Sequence, residues 1–214
     1  MKSVLIIGIG EFGKNIAKEM NNLGCEVMAV DISEPHINEI LPYVTNAIIG
    51  NSTSREFVKS LSVHEYDVCI VSVGNHFQTL LETTTLVKEL GAKRVIARAS
   101  DDVQMKFLLR NGADEVVYPE KQMAMRIATK YASDSILDFV QLDNNYTLYQ
   151  MKAPKEWYGQ TVQQLDVRKK YNINIISIKR GIGVFMPAAE TEIIPEDKVF
   201  VMGEVESIKR CFNL

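Results

Sequence analysis

The sequence predicts an α/β protein, with a doubly wound parallel sheet, then a helix, then a small α+β domain. Two observations lead to this prediction. Over residues 1–118, short apolar runs rich in branched residues alternate with amphipathic stretches of helical period. From residue 141 the pattern changes to alternating strands with few helical stretches. Strands that alternate with helices are typical of a parallel sheet covered by helices on both faces.

Six strands and five helices are expected in the first domain, residues 1–118. The strands cover residues 4–7, 26–30, 47–49, 68–73, 94–98 and 115–118. The helices between them cover residues 14–22, 38–43, 55–61, 78–90 and 103–110. Every connection is short, so we expect no catalytic domain to be inserted between the strands.

A longer helix is predicted over residues 119–140, where Met123, Ile127 and Tyr131 recur on one face with few charges among them. This apolar stripe needs a partner, either a neighbouring subunit or the chain's own second domain. That domain, residues 141–214, is the predicted α+β unit. Its strands are expected at 146–151, 173–179, 183–186 and 198–202, and its helices at 161–170 and after 204.

The composition argues against several classes of function. The net charge is −3, and Lys and Arg are spread along the chain, so no basic patch exists for nucleic acid or an anionic membrane surface. No apolar run approaches the roughly 20 residues that a bilayer-spanning helix needs, and the start lacks a signal-peptide pattern. Cys25, Cys69 and Cys211 lie far apart without metal-ligand spacing, so we expect free buried thiols in a reducing cytoplasm.

A glycine-rich loop links the first strand to the first helix. Its residues are Gly8, Ile9, Gly10, Glu11, Phe12 and Gly13. In this pattern the first glycine permits a tight turn, the second lets a pyrophosphate approach the backbone, and the third lets helix and strand pack closely. The helix N-terminus then offers free N–H groups and a positive dipole end to phosphate. The loop predicts a Rossmann-like nucleotide-binding domain.

Asp31 strengthens this prediction. It ends the second predicted strand, 18 residues after Gly13, where a carboxylate can accept hydrogen bonds from both ribose hydroxyls. A small residue here beside a basic one would favour a 2′-phosphate, but Ile32 and Ser33 follow instead. We therefore expect a nucleotide with an unmodified adenosine ribose, bordered by Ile32.

Three further places lie at the carboxyl ends of predicted strands, the edge at which open α/β sheets bind ligands. Asn51 and Ser52 follow the third strand, Gly74 and Asn75 follow the fourth, and Arg98 ends the fifth. The first pair is suited to adenine or ribose, and the arginine to phosphate. Each of them also fits an ordinary turn or helix cap.

The chain lacks the groups that a dehydrogenase needs besides its cofactor. Such enzymes use a proton relay, often a histidine, next to a substrate site. The three histidines, His36, His64 and His76, all fall in or beside loops of the nucleotide domain. The C-terminal residues offer no nucleophile or metal cluster. An NAD-dependent oxidoreductase remains an alternative, but we predict a protein without catalytic residues.

The whole chain resembles the RCK (or KTN) family, the cytosolic gating subunits of bacterial Trk and Ktr potassium uptake systems. Four segments carry the resemblance. They are IIGIGEFG at 6–13, MAVD at 28–31, GNST at 50–53 and NGADEVVYPEKQMAMRIA at 111–128. The last segment is specific, because few other Rossmann proteins contain it. A small C-terminal domain also follows in family members, as it does here from about residue 141.

The resemblance implies a regulatory role rather than an enzymatic one. Family members bind adenine nucleotides (ATP, ADP, AMP, NAD or NADH) and pair through the helix at 119–140 into homodimers, which build an octameric ring. The ring would lie on the cytoplasmic side of the membrane and gate an integral-membrane potassium channel or transporter subunit of the TrkH or KtrB kind. A sensor acting on another cation transporter is the alternative within the family.

The resemblance also suggests two further ligands. Glu120 matches a carboxylate that helps hold a cation near the nucleotide phosphates, although it also suits the first turn of a helix. Cyclic di-AMP is implied in the C-terminal domain, on Val162, Arg168, Asn174, Ile175 and Pro187.

Two departures from the family pattern bear on the nucleotide. Glu11 stands where an arginine often faces the terminal phosphate, which disfavours an ATP-only sensor and favours ADP, AMP or NAD(H). Asn51 replaces an acidic residue, which weakens a ribose contact there.

Overall fold

A computed structural model describes residues 1–74, 76–143 and 145–214. The chain divides into two compact units, Met1–Lys121 and Gln122–Leu214, here called the N-terminal and C-terminal units. None of the helices in the described ranges is long and apolar enough to cross a membrane.

The N-terminal unit contains one six-stranded parallel sheet. Its strands are β1 (Ser3–Ile7), β2 (Glu26–Asp31), β3 (Asn46–Ile49), β4 (Val68–Val71), β5 (Val95–Arg98) and β6 (Glu115–Val117). They are arranged in the order β3-β2-β1-β4-β5-β6. Because the order reverses between β1 and β4, a crevice opens beyond the carboxyl ends of these two strands. The predicted doubly wound sheet is confirmed.

Helices cover both faces of this sheet. They are α1 (Glu11–Asn22), α2 (Glu34–Ile40), α3 (Arg55–Ser60), α4 (Phe77–Glu89) and α5 (Asp102–Arg110). Alternate residues of β1 enter two different hydrophobic clusters, with Leu5 and Ile7 in one and Val4 and Ile6 in the other. All four side chains are almost fully buried. The continuous apolar run at residues 4–7 is therefore explained by burial on both faces.

The predicted helix over 119–140 is wrong in its second half. Helix α6 (Pro119–Tyr131) ends well before residue 140, and after a short connection at 132–135 the chain forms strand β7 (Ile136–Gln141). The strand pairs with residues 147–151, where Phe139 stacks on Tyr149 at 5.6 Å between ring centroids. This pairing buries Ile136 and overrides the weak helical periodicity of the segment. That α6 mediates dimerisation remains a prediction.

The C-terminal unit is built on an antiparallel sheet of five strands. After β7 come β8 (Tyr146–Lys152), β9 (Asn174–Arg180), β10 (Gly183–Phe185) and β11 (Lys198–Glu204). Their order is β10-β9-β11-β8-β7. Besides the part of α6 from Gln122 onward, the helices of this unit are α7 (Val162–Leu165), α8 (Val167–Tyr171) and α9 (Val205–Phe212). The helix predicted at 161–170 is thus two short helices, because Asp166 takes a left-handed conformation with φ of 47°.

An ion pair between a partly exposed arginine and a buried aspartate joins two segments of the C-terminal unit. The Asp197 side chain is fully buried, and Arg180 donates to it through Nε at 2.8 Å and Nη2 at 2.7 Å. The Ile194 backbone N–H adds a third hydrogen bond at 3.0 Å. Burial by itself would raise the pKa of Asp197, but these donors outweigh it and hold that pKa below its usual value. The folded unit therefore favours the charged form of the Asp197 carboxyl group.

Candidate nucleotide-binding site

The predicted nucleotide residues meet around one cavity of about 480 Å³ in the N-terminal unit, at the carboxyl ends of β1, β2, β3, β4 and β5. We call this cavity the cleft. Ten of the predicted residues line it: Gly8, Gly10, Glu11, Phe12, Asp31, Ile32, Asn51, Ser52, Gly74 and Arg98. Gly13 lies behind the lining, and Asn75 falls outside the described residues.

The three glycines of the loop differ in what surrounds them. Gly8 has a φ of +96°, and a Cβ on it would lie 2.6 Å from the Val73 backbone N. A Cβ on Gly13 would lie 2.0 Å from the Gly8 carbonyl oxygen, because α1 packs closely on β1 there. A Cβ on Gly10 would meet no atom within 4 Å. Two of the glycines are required by the fold itself, whereas Gly10 leaves open space on the cleft side of the loop.

Gly10 also caps the N-terminus of α1, and no side chain hydrogen bonds to that cap. The first helical hydrogen bond runs from the Lys14 N–H to the Gly10 carbonyl at 2.8 Å. The amides of the first turn are consequently free to donate to a ligand, and the helix dipole adds a partial positive charge. Open space beside free amides is the arrangement that binds a phosphate.

Asp31 holds the loop in place from the neighbouring strand. Its side chain is largely buried, and its Oδ2 accepts a hydrogen bond from the Ile9 backbone N–H at 2.6 Å. Its Oδ1 accepts from the Ser33 N–H at 2.8 Å and lies 3.3 Å from Nδ1 of His36. Oδ2, which accepts only the Ile9 N–H among the described residues, has a further lone pair for a ribose hydroxyl. Asp31 can therefore shape the cleft and contact a ligand at once.

Arg98 closes the other end of the cleft. Its Nη2 donates to the Glu120 carboxylate, and its guanidinium lies over the Phe12 ring, 5.7 Å from the ring centroid. Its Nε is buried with no hydrogen-bond partner among the described residues. A buried guanidinium N–H without an acceptor is unusual, and a phosphate oxygen would satisfy it.

Glu11 is the acidic residue of the loop, and its side chain is mostly exposed. Lys14 donates to it at 2.7 Å and to Glu39 at 3.0 Å. These two carboxylates raise the pKa of Lys14, and Lys14 lowers that of Glu39. The negative charge of Glu11 is thus partly neutralised beside the cleft, which weakens the repulsion of a terminal phosphate that the sequence alone predicts.

Asn51 and Ser52 have structural partners as well as positions in the cleft. The Asn51 Oδ1 accepts from the Thr53 N–H at 3.0 Å and from its hydroxyl at 2.9 Å, which makes a turn. The Ser52 hydroxyl lies 2.9 Å from that of Thr83, which is fully buried. Both the turn role and the ligand role considered from the sequence remain compatible with these side chains.

Sequence reasoning missed several lining residues, of which four are polar: His36, Ser72, His76 and Thr79. His36 comes from α2 and reaches the cleft because Pro35 and Glu34 start that helix next to Asp31. The Ser72 hydroxyl donates to the Gly8 carbonyl at 2.7 Å. Both histidines follow a predicted strand by a few residues, which is the signal that could have identified them.

The sites predicted for a cation and for cyclic di-AMP have less structural support than the cleft. Glu120 lies in the first turn of α6 against Arg98, and its pKa is lowered by its own backbone N–H and then by Arg98. Across the described ranges no three His, Cys, Asp or Glu side chains are grouped to hold a metal ion. The residues predicted for cyclic di-AMP lie in α7, α8, β9 and the segment after β10: Val162, Arg168, Asn174, Ile175 and Pro187.

The cysteines are free, as predicted. Cys69 and Cys211 are buried and Cys25 is partly buried. Burial raises the pKa of Cys69 to about 12 and that of Cys211 to about 11. Both are therefore protonated, unreactive thiols at neutral pH.

Two family models match the chain. The TrkA-N domain model matches residues 4–119, and the TrkA-C domain model matches residues 147–214. The chain belongs to the RCK family. Ktr system potassium uptake protein C of Bacillus subtilis (strain 168) is 39% identical to this RCK protein over 210 residues, covering 98% of this chain and 95% of that protein. Ktr system potassium uptake protein A of the same organism is 34% identical over 213 residues, covering 99% and 96%.

Solved structures share the fold of this RCK protein. The GsuK channel superposes with a TM-score of 0.72 at 14% identity, covering 99% of this chain and 39% of that one. The GsuK channel bound to NAD gives 0.69 at 15% identity, covering 98% and 38%. The human SLO3 gating ring gives 0.51 at 12% identity, covering 99% and 46%. At these identities the likeness concerns the fold alone.

Proposed function

We propose that this RCK protein is the nucleotide-sensing regulatory subunit of a Ktr-type potassium uptake system. Its homology to Ktr proteins over nearly its full length supports a regulatory role in potassium transport. The observation that carries the proposal further is the cleft, where open space at Gly10, free amides of α1 and the Asp31 carboxylate converge. These groups fit a phosphate-bearing adenine nucleotide.

The ligand is NAD(H), ADP, AMP or ATP. In the cleft, the amides that follow Gly10 donate to phosphate oxygens, and Asp31 accepts from the ribose hydroxyls while it keeps the loop on β2. Arg98 supplies a guanidinium at the far end. A nucleotide bound in this way supplies the free energy that favours one state of the protein over another. It acts as a signal and not as a hydride carrier, since a ligand that binds two states unequally shifts their populations.

A cation near the phosphates is a further part of the proposal. Glu120 now pairs with Arg98, so a ligand phosphate that takes Arg98 would release the carboxylate for a cation. Phosphate oxygens and a neighbouring subunit would have to supply the other ligands of the cation, because a single carboxylate is a poor cation site.

We propose a homodimer, assembled into an octameric ring, that contacts an integral-membrane potassium channel or transporter subunit of the TrkH or KtrB kind from the cytoplasmic side. Exposed apolar side chains along α6 support self-association, since Met123, Met125, Ile127 and Tyr131 are each at least half exposed. Cyclic di-AMP binding in the C-terminal unit stays a prediction from family resemblance, as does the absence of catalytic activity.

The proposal is tested by calorimetric titration of the protein with ATP, ADP, AMP and NADH. Asp31→Ala removes the ribose acceptor and frees the Ile9 N–H, so nucleotide affinity is expected to fall at least about tenfold. Asp134→Ala, which removes an exposed carboxylate from the C-terminal unit, is the matched control and should bind as the parent does. Equal affinities for Asp31→Ala and its control would contradict the assignment of the cleft.

Potassium transport provides a second test of the proposal. Potassium flux through a co-reconstituted Ktr-type membrane subunit should depend on the nucleotide in the parent protein and lose that dependence in Asp31→Ala. Steady oxidation of NADH by the protein with any carbonyl substrate would instead favour an oxidoreductase.

A further inference from the structure

A second cavity lies in the C-terminal unit and belongs to none of the sites described above. Its volume is about 480 Å³, the same as that of the cleft. It opens where β8 leads into the residues before α7, and α9 closes its other side. None of the five residues predicted for cyclic di-AMP is in its described lining.

Aromatic rings form the floor of this cavity. Trp157 and Phe212 are more than nine-tenths buried, with their ring centroids 5.2 Å apart. Tyr158 and Tyr171 are partly buried and pack against the same hydrophobic core. The planes of the Trp157 and Phe212 rings are inclined at 54°, and little of either ring is exposed. The partly buried Tyr158 and Tyr171 leave more ring surface for apolar contact with a ligand.

The rim of the cavity has a net positive charge. Lys152 and Lys155 line it, and neither ammonium group forms an ion pair or hydrogen bond with another described residue. Glu156 is the single acidic side chain in the described lining, so the lysines leave a net positive charge. The hydroxyl groups of Ser135 and Tyr171 add neutral donors.

The backbone around the lysines is fixed on both sides. The Lys152 N–H donates to the Ser135 carbonyl at 3.0 Å, and the Ala153 N–H donates to the Asp197 carbonyl at 3.1 Å. Asp197 is itself held by Arg180. The walls are thus set by the folded unit rather than by a free loop.

We propose that this cavity binds an aromatic anion, with its ring against the aromatic side chains of the cavity and its negative group near Lys152 and Lys155. Aromatic side chains next to two ammonium groups that pair with no other described residue match a ring that carries a carboxylate or phosphate. Two sources share this chemistry, a small aromatic carboxylate and a nucleoside monophosphate. The inference is independent of nucleotide binding in the cleft.

Trp157 is the only tryptophan of the chain, so its fluorescence reports on this cavity directly. The full-length protein is titrated with benzoate and with AMP, each against its uncharged counterpart, benzamide and adenosine. We expect a saturable change in Trp157 emission with at least one anion, and at least about tenfold weaker binding of the counterpart that lacks the charge. Competition between AMP and benzoate decides which source fits better.

The double variant Lys152→Ala/Lys155→Ala should weaken that binding by about tenfold or more, whereas Lys59→Ala, which removes an exposed lysine from α3, should leave it unchanged. Gly10→Ala serves to separate the cavity from the cleft, and binding at the cavity should survive it. The proposal is overturned if no anion changes Trp157 emission up to ~10 mM. It is equally overturned if the response persists in the double variant and disappears with Gly10→Ala.

Discussion

The cleft of the N-terminal unit and the cavity of the C-terminal unit have the same volume but are built from different parts of the chain. Backbone groups dominate the cleft, in which glycines, a helix N-terminus and a carboxylate that binds two amides define its shape. Side chains dominate the cavity, with four aromatic rings and two lysines. A site built from backbone depends on small residues at fixed spacing, whereas a site built from side chains depends on tertiary packing.

The largest effect expected from this comparison is at Gly13. The Gly13→Ala change places a methyl group 2.0 Å from the Gly8 carbonyl oxygen, so α1 must move away from β1. We expect a loss of about 3 kcal/mol in the stability of the N-terminal unit together with loss of nucleotide binding. Hydrogen exchange of the β1 amides measures the stability of that unit.

Gly10→Ala is the matched control within the same loop. Its methyl group meets no atom within 4 Å, so hydrogen exchange should stay as in the parent protein. Nucleotide affinity should nevertheless fall, because the methyl group occupies the approach of the phosphate. If Gly10→Ala binds the nucleotide as tightly as the parent protein does, the phosphate does not lie against the backbone at Gly10, and this part of the proposal is wrong.

The second effect concerns side chains in the C-terminal unit. Arg180→Ala leaves the fully buried Asp197 without its bidentate partner, and we expect this to cost about 3 kcal/mol in the free energy of unfolding. Denaturant titration followed by Trp157 fluorescence reports on that unit. Arg126→Ala removes the exposed pair with Asp138 and should cost under about 1 kcal/mol. If both variants lose the same free energy of unfolding, burial of the carboxylate does not determine how much an ion pair contributes to stability.

The third effect is a dependence on pH that follows from the same pair. The pKa of Asp197 is lower in the folded unit than in the unfolded chain, so its contribution is present above the unfolded value of about 4. That contribution is lost as the pH falls through the folded pKa. Between pH 5 and pH 2, roughly, the parent should therefore lose more stability than Arg180→Ala. Parallel pH profiles of the two proteins would contradict this sign.

The smallest effect is expected at Glu11. Because its side chain is exposed and paired with Lys14, Glu11→Gln should change stability by less than about 0.5 kcal/mol. Removal of the negative charge should raise the affinity for ATP more than that for ADP, by a few fold. Calorimetric titration with both nucleotides measures the ratio, and an unchanged ratio would show that Lys14 already neutralises Glu11 fully.

Sequence reasoning located the parallel sheet, the glycine loop and Asp31, because each is local or periodic. It failed over residues 132–140, where the strand β7 forms only because β8 lies beside it. It also missed His36, Ser72 and His76 in the cleft, since their approach depends on how loops pack. The helix predicted over residues 161–170 is too long, because one residue in a left-handed conformation, Asp166, divides it into two short helices.

The amino-acid sequence by itself determined the family, the doubly wound sheet and the glycine-rich cradle. Short-range spacing carries that information, because the tight turn needs Gly8, the close packing of α1 on β1 needs Gly13, and the approach of a phosphate needs Gly10 between them. Only the tertiary structure decided that Arg98 pairs with Glu120 over Phe12, and that Trp157 and Phe212 form a floor beside Lys152. Phe12 and Arg98 are far apart in sequence, as are Trp157 and Phe212, and only chain packing brings such side chains from separate elements into contact.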